Sequence, residues 1–121
     1  MAISQLNLAN LASTLFQDTA NGAAVVGVKT SSATIYFLEL DNSANAAATF
    51  VKFWNATTGS VTLGTTDPDG VIRVPASTKL SIPIPAGWVF NTALSVASVT
   101  AGGTGGTGAP VTPITVKISY S

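Results

Sequence analysis

The closing stretch PITVKISYS, Pro113 to Ser121, decides the class of fold. Ile114, Val116, Ile118 and Tyr120 alternate with Thr115, Lys117 and Ser119. A period of two is what a strand needs to put one row of side chains into a core and the other into water. The same signal recurs upstream. In KLSIPIP, Lys79 to Pro85, Leu80, Ile82 and Ile84 alternate with Lys79, Ser81 and Pro83, and Pro83 and Pro85 place that strand at a sheet edge or at its own end. In TIYFLELD, Thr34 to Asp41, Tyr36, Leu38 and Leu40 share one face while Glu39 and Asp41 share the other.

Further strands are predicted at AAVVGVK (Ala23 to Lys29), TFVKFWN (Thr49 to Asn55) and GVIRVP (70–75), each bounded by Gly, Pro, Asn or Ser. After an expected turn at Ala86-Gly87, WVFNTALSVASVT (Trp88 to Thr100) reads as one strand leading into another, with Leu94 and Val96 on one side. No long 3.6-residue pattern separates these segments, so the crossover helices of a parallel sheet are missing. The expectation is an all-β antiparallel sandwich, jelly-roll-like, over residues 23–121. Residues 1–22 are set apart as an N-terminal arm or short helix. There Leu8, Leu11 and Leu15 fit a helix face, whereas Leu6 and Leu8 fit an alternating arm. Outside a sandwich this segment would expose several leucines and Phe16, so Leu6, Leu8, Leu11, Leu15 and Phe16 are the candidate contacts to another chain.

Composition supports the same class. At 121 residues there is room for one domain with a sizeable core. Charged residues make up 8% of the chain, so its polar surface must come from hydroxyls and amides, including 17 threonines and 12 serines. Threonine's branched Cβ suits a pleated surface. Five basic residues (Lys29, Lys52, Arg73, Lys79, Lys117) balance five acidic ones and do not cluster, which excludes tracking of a nucleic-acid backbone. A net charge of zero removes the repulsion that keeps solitary domains apart, so the chain is expected to pack against companions. No apolar run approaches the ~20 residues of a membrane-spanning helix, and the N-terminus lacks the positive flank of a secretory signal; the chain reads as mature, soluble protein.

Several motifs invite chemistry and lose it on inspection. Gly103 to Gly108 spell G-x-G-x-x-G, but Ala109-Pro110-Val111-Thr112-Pro113 follows, and a proline-bounded extended segment cannot open the helix whose amides would hold a phosphate. The loop is expected to be a flexible hairpin tip, extruded between the last two strands. Asp67 and Asp69 precede Gly70 as at the start of a calcium loop, yet no downstream acidic ligand follows; Pro68 and Gly70 make a turn. Glu39 and Asp41 form a solvated strand face rather than an acid–base pair. Histidine and cysteine are both absent, and neither G-x-S-x-G nor S-x-x-K occurs. No catalytic residue, cofactor or metal site is expected. Asn55-Ala56-Thr57 has the form of a glycosylation sequon but reads as a turn. Trp54, Trp88 and Tyr36 could stack on a sugar; in a chain with so few aromatics they are expected to anchor the core.

The run from Lys52 to Thr100, with the closing ITVKISY, combines K-x-aromatic, V-x-L-G-T, V-P-A, I-P-I-P-A-G and A-L-S-V-A segments with a glycine-threonine loop. In this it resembles the small β-sandwich proteins of tailed bacteriophage virions, nearest the capsid decoration or cement class. The resemblance implies a protein of the outer capsid surface that binds the major capsid protein, often as a homotrimer at threefold positions, and stabilises the shell by mass action. A receptor- or carbohydrate-binding module of a tail fibre or surface appendage is the alternative. It would present an exposed aromatic cluster around Trp54 or Trp88, where the cement reading has those rings buried.

Overall fold

The computed structural model describes residues 14–121. Eight strands follow one another: β1 (Thr14–Asn21), β2 (Val26–Lys29), β3 (Ala33–Asp41), β4 (Thr49–Trp54), β5 (Gly70–Val74), β6 (Lys79–Phe90), β7 (Leu94–Val99) and β8 (Ile114–Tyr120). They pair antiparallel in nested fashion, β1 with β8, β2 with β7, β3 with β6 and β4 with β5. Two further pairings, β3 with β8 and β4 with β7, roll this ladder into two sheets of order β1-β8-β3-β6 and β2-β7-β4-β5. That is the eight-stranded jelly roll. The expected all-β antiparallel sandwich is the observed architecture.

The core lies between the sheets and is filled by the inward rows. Ile35, Leu38 and Leu40 of β3 and Ile114, Val116 and Ile118 of β8 meet Val51 and Phe53 of β4 and Leu94 and Val96 of β7. Each such fully buried aliphatic or aromatic side chain contributes about 1.5–3 kcal/mol relative to exposure. Trp88 joins from β6, its ring 5.0 Å from Phe53 and 4.7 Å from Phe90 in tilted contacts.

Three sequence expectations are revised here. Thr14–Asn21 is a strand of the sandwich, paired with β8, so the domain takes in eight residues assigned above to the arm. Ala86-Gly87 is no turn: β6 runs unbroken for 12 residues, and the chain reverses at 91–93 instead. Between the pairs Ile35–Trp88 and Phe37–Pro83, β6 carries three more residues than β3. Gly87, at φ +80°, absorbs that bulge, and a Cβ there would lie 2.6 Å from the Thr34 methyl and 3.2 Å from the Tyr36 ring. The same irregularity gives β3 one residue more than β8 between those points, which switches the side-chain parity. Ile35 therefore takes the core face with Leu38 and Leu40, and Tyr36 does not.

Loops finish the structure by satisfying buried polar groups. Asn42 is fully buried between the β3–β4 and β5–β6 connections, where its Nδ2 donates to the carbonyls of Ala47 and Pro75 at 3.0 Å each. Its Oδ1 accepts from Asn45 Nδ2 and Thr49 Oγ1, both at 2.8 Å. Asn45 in turn bonds the backbone of Thr112 in both directions, which ties the loop before β8 into the same network.

Candidate interaction surfaces

The two sheets differ in what covers their outer faces. On sheet β2-β7-β4-β5, the outward row is Phe50, Lys52 and Trp54 of β4 opposite Val99, Ala97 and Ser95 of β7. Two loops lie over it. Residues 55–69 cover Trp54, whose Nε1 donates to the Thr66 carbonyl at 3.1 Å, and Ser95 Oγ donates to the Ala56 carbonyl at 2.6 Å. The glycine loop covers the rest, so every residue of β7 is buried.

That loop corrects the expectation of an extruded tip. It lies back on the sheet, and Lys52, fully buried, reaches up to it: Nζ donates to the carbonyls of Gly103 at 2.6 Å and Gly106 at 3.0 Å. Gly102 rests on Phe50 so closely that a Cβ would come within 2.8 Å of the ring. Thr104 Oγ1 donates to Asp67 Oδ1 at 2.6 Å, which joins the two covering loops. A phosphate loop aims amides at an anion; this one aims carbonyls at a cation, and the cation is the protein's own. Neither ion pair among the described residues involves Lys52, and burial holds its pKa below the ordinary lysine value.

Lys52 was not among the sequence candidates. A signal was present: it shares its strand face with Phe50 and Trp54, and a lysine flanked on one face by two large aromatics belongs to a covered surface.

The outer face of sheet β1-β8-β3-β6 carries no such cover among the described residues. Its side chains form rows across the four strands. Leu15, Ser119, Phe37 and Pro83 stand opposite one another in turn. Gln17, Lys117, Glu39 and Ser81 form the next row, and Thr115, Asp41 and Lys79 the third. The face thus grades from apolar to charged. Leu15 is 58% exposed and Val89, beyond the bulge, 56%. Glu39 sits between Lys79 at 3.4 Å and Lys117 at 3.5 Å, so its carboxylate is balanced on both sides. Asp41 is held below the usual carboxylate range by hydrogen bonds from Ser43, side chain first and then backbone.

A concavity of about 320 Å³ opens between the β3–β4 connection and the segment before β8. Ala44, Ala46, Ala47 and Ala48 wall one side, with Pro110 and Val111 on the other. No titratable group lines it, so it can seat an apolar side chain but cannot move a proton.

Of the sequence-named contacts, Leu15 lies on the open face and Phe16 turns inward to pack on the core. Leu6, Leu8 and Leu11 fall outside the described residues. The aromatic candidates are not brought together as an exposed cluster. Trp54 is 1% exposed under its loop, Trp88 packs on the core, and Tyr36 lies beside the β6 bulge. Asp69 Oδ2 accepts from the Asn55 N–H, and Asn55 Oδ1 accepts from the N–H groups of Thr92 and Ala93, so both serve turns. Among the described residues no three His, Cys, Asp or Glu side chains gather as a metal site would require. No protein-family model, curated protein or solved structure matches the chain.

Proposed function

We propose that the protein is a structural component of a virion, a decoration protein that lies on the outer capsid surface and binds the major capsid protein through the open face of sheet β1-β8-β3-β6. One observation carries this reading: among the described residues that face alone is left uncovered by loops, and it sets an apolar row (Leu15, Phe37, Pro83) beside two charged ones (Lys117 with Glu39, then Asp41 with Lys79). An apolar centre with a polar margin is the make-up of a protein-binding surface. The polar interior supports the same reading. Lys52, Asn42, Asn45 and Ser95 are all engaged in holding loops, which leaves them unavailable for chemistry.

The burial of Trp54 favours this over the carbohydrate-binding alternative, since a sugar-stacking ring has to face solvent. In the proposed role the free energy of binding adds directly to the stability of the assembled shell, because separated subunits do not present the lattice. Many copies make weak individual contacts sufficient.

The test is co-sedimentation with expanded empty phage capsids. The wild-type protein should pellet with them and raise the temperature at which they disrupt. Pro83→Asp, an exposed edge position on that face, should weaken both effects while leaving the unfolding transition in place. Protein that stays in the supernatant at all concentrations would refute the reading.

A further inference from the structure

The jelly roll leaves four strand edges, and three of them are guarded. β6 carries Lys79, Pro83 and Pro85 and the three-residue bulge. β5 is five residues long with Arg73 near its middle, and β2 is four residues long, broken by a register shift and ended by Lys29. Charges, prolines, bulges and shortness are the devices that stop an edge from recruiting a further strand. β1 is different. From Thr14 to Gln17 it pairs with β8 in regular register and contains no charge, proline or glycine; its own register shift comes only after that, between Asp18 and Asn21. Its first charged residue, Asp18, is spent on its own turn, accepting from the Ala20 N–H and the Asn21 side chain at 3.0 Å each. Among the described residues nothing pairs with the outer side of this strand.

We propose that β1 is a self-association edge, at which two copies of the chain pair antiparallel, β1 to β1, into a continuous eight-stranded sheet. The occupant is a second copy for three reasons. A zero net charge offers no repulsion between copies. A two-fold β1 pair is self-complementary and closes on itself, so it does not propagate into fibres. It also brings the two exposed Leu15 side chains to the seam, where each extends the other's apolar row. The product is a two-fold pair in place of the trimer that the resemblance implies. This inference stands without the capsid reading and can fail independently of it.

Four or five paired residues per strand bury less than the ~1,200 Å² of a standard interface, so association should be weak, with a dissociation constant between roughly micromolar and millimolar. Sedimentation equilibrium of the full chain from micromolar to millimolar should therefore show a monomer–dimer equilibrium. The double variant L15K/Q17K sets like charges across the seam and should weaken association at least about tenfold. Both residues are exposed, and since Gln17 stands opposite Lys117 of the same chain, the added like charge should lower the stability by no more than about 1 kcal/mol and leave a cooperative unfolding transition. Because the chain has no cysteine, a single spin label at Gln17→Cys reports the contact in an otherwise native protein. Inter-copy label distances below about 20 Å are expected there, from the ~5–8 Å spacing of facing and diagonal positions plus the label arms. A label at Val111→Cys, an exposed position ahead of β8 and outside the β1 edge, should show none so short. A full-length protein that stays monomeric throughout, a trimer, association unchanged in L15K/Q17K, or labels close at 111 and far apart at 17 would each overturn the proposal.

Discussion

Replacing Lys52 by methionine separates what the buried ammonium does for the glycine loop from what it does for the whole fold. The side chain is fully buried, and its two hydrogen bonds run to Gly103 and Gly106. Hydrogen bonds from a charged donor contribute roughly 1.5–3 kcal/mol each, so the loop loses several kcal/mol of anchorage. Against this stands the cost of having taken an ammonium out of water without a carboxylate partner, several kcal/mol in the other direction. Methionine keeps most of the stem's packing and carries no charge. The two effects nearly cancel in the global balance and do not cancel in the loop.

Lys52→Met should therefore change the free energy of unfolding by no more than about 1 kcal/mol. Amide exchange within residues 100–108 should accelerate by at least about tenfold, read at the Gly106 N–H that bonds Gly103 and at the Thr100 N–H that bonds Gly108. The pH dependence has a definite sign. Burial lowers the folded pKa, so between that value and the ordinary ~10.4 the unfolded chain binds more protons, and the lysine's contribution to stability rises with pH. At neutral pH both states are protonated and the full burial cost is present. Wild type should thus gain on Lys52→Met as pH climbs through the alkaline range, which difference curves from chemical unfolding will show. Unchanged loop exchange, or a wild-type advantage that shrinks with rising pH, would refute the clasp.

Three other substitutions probe the frame. Asn42→Ala strands Asn45, Thr49 and the carbonyls of Ala47 and Pro75 without their partner; at about 1–3 kcal/mol per unsatisfied buried group, Tm should fall by about 10 °C or more in calorimetry. Gly70→Ala places a Cβ 2.4 Å from the Trp88 ring, so it should cost about 1–3 kcal/mol and red-shift the tryptophan emission as that ring is pushed outward. Asp41 has a lowered folded pKa, so its contribution is present above the usual carboxylate range and lost as pH falls through the folded value; Asp41→Asn should flatten the acid limb of stability against pH, measured by urea unfolding.

How much of this was legible in the sequence depended on whether a strand had one covered face or two. β8 and most of β3 face solvent on one side, and their alternation is plain in Ile114 to Tyr120 and Leu38 to Asp41. β7 is buried on both faces, so LSVASV shows small and apolar residues without a clean period. What blurs it is the loop cover over Ser95, Ala97 and Val99, a long-range fact that no local window contains. Alternation puts Tyr36 on the core face only when it runs straight through the bulge, and Ala86-Gly87 reads as a turn because glycine serves bulge and turn alike. In β1, Gln17 and Asp18 face the solvent side or the turn and interrupt the apolar pattern, so only Leu15 and Phe16 marked it, too few to tell strand from helix.

The glycine loop joins these threads. Glycines were needed there because backbone has to approach within van der Waals reach of Phe50 and bring carbonyls to Lys52, both on strand β4 some fifty residues earlier. The same substitution pattern that mimics a nucleotide loop thus serves to seal one sheet face. With the outer side of β2-β7-β4-β5 closed by two loops joined through Thr104 and Asp67, one sheet face stays open among the described residues, the one the proposed partner would use. In the proposed role, a lysine buried in one layer of the sandwich leaves the other layer to bind. If Lys52→Met frees the loop, Phe50 loses its cover while Trp54 stays under residues 55–69, and the variant should acquire a second apolar patch around Phe50 and aggregate where the wild type does not.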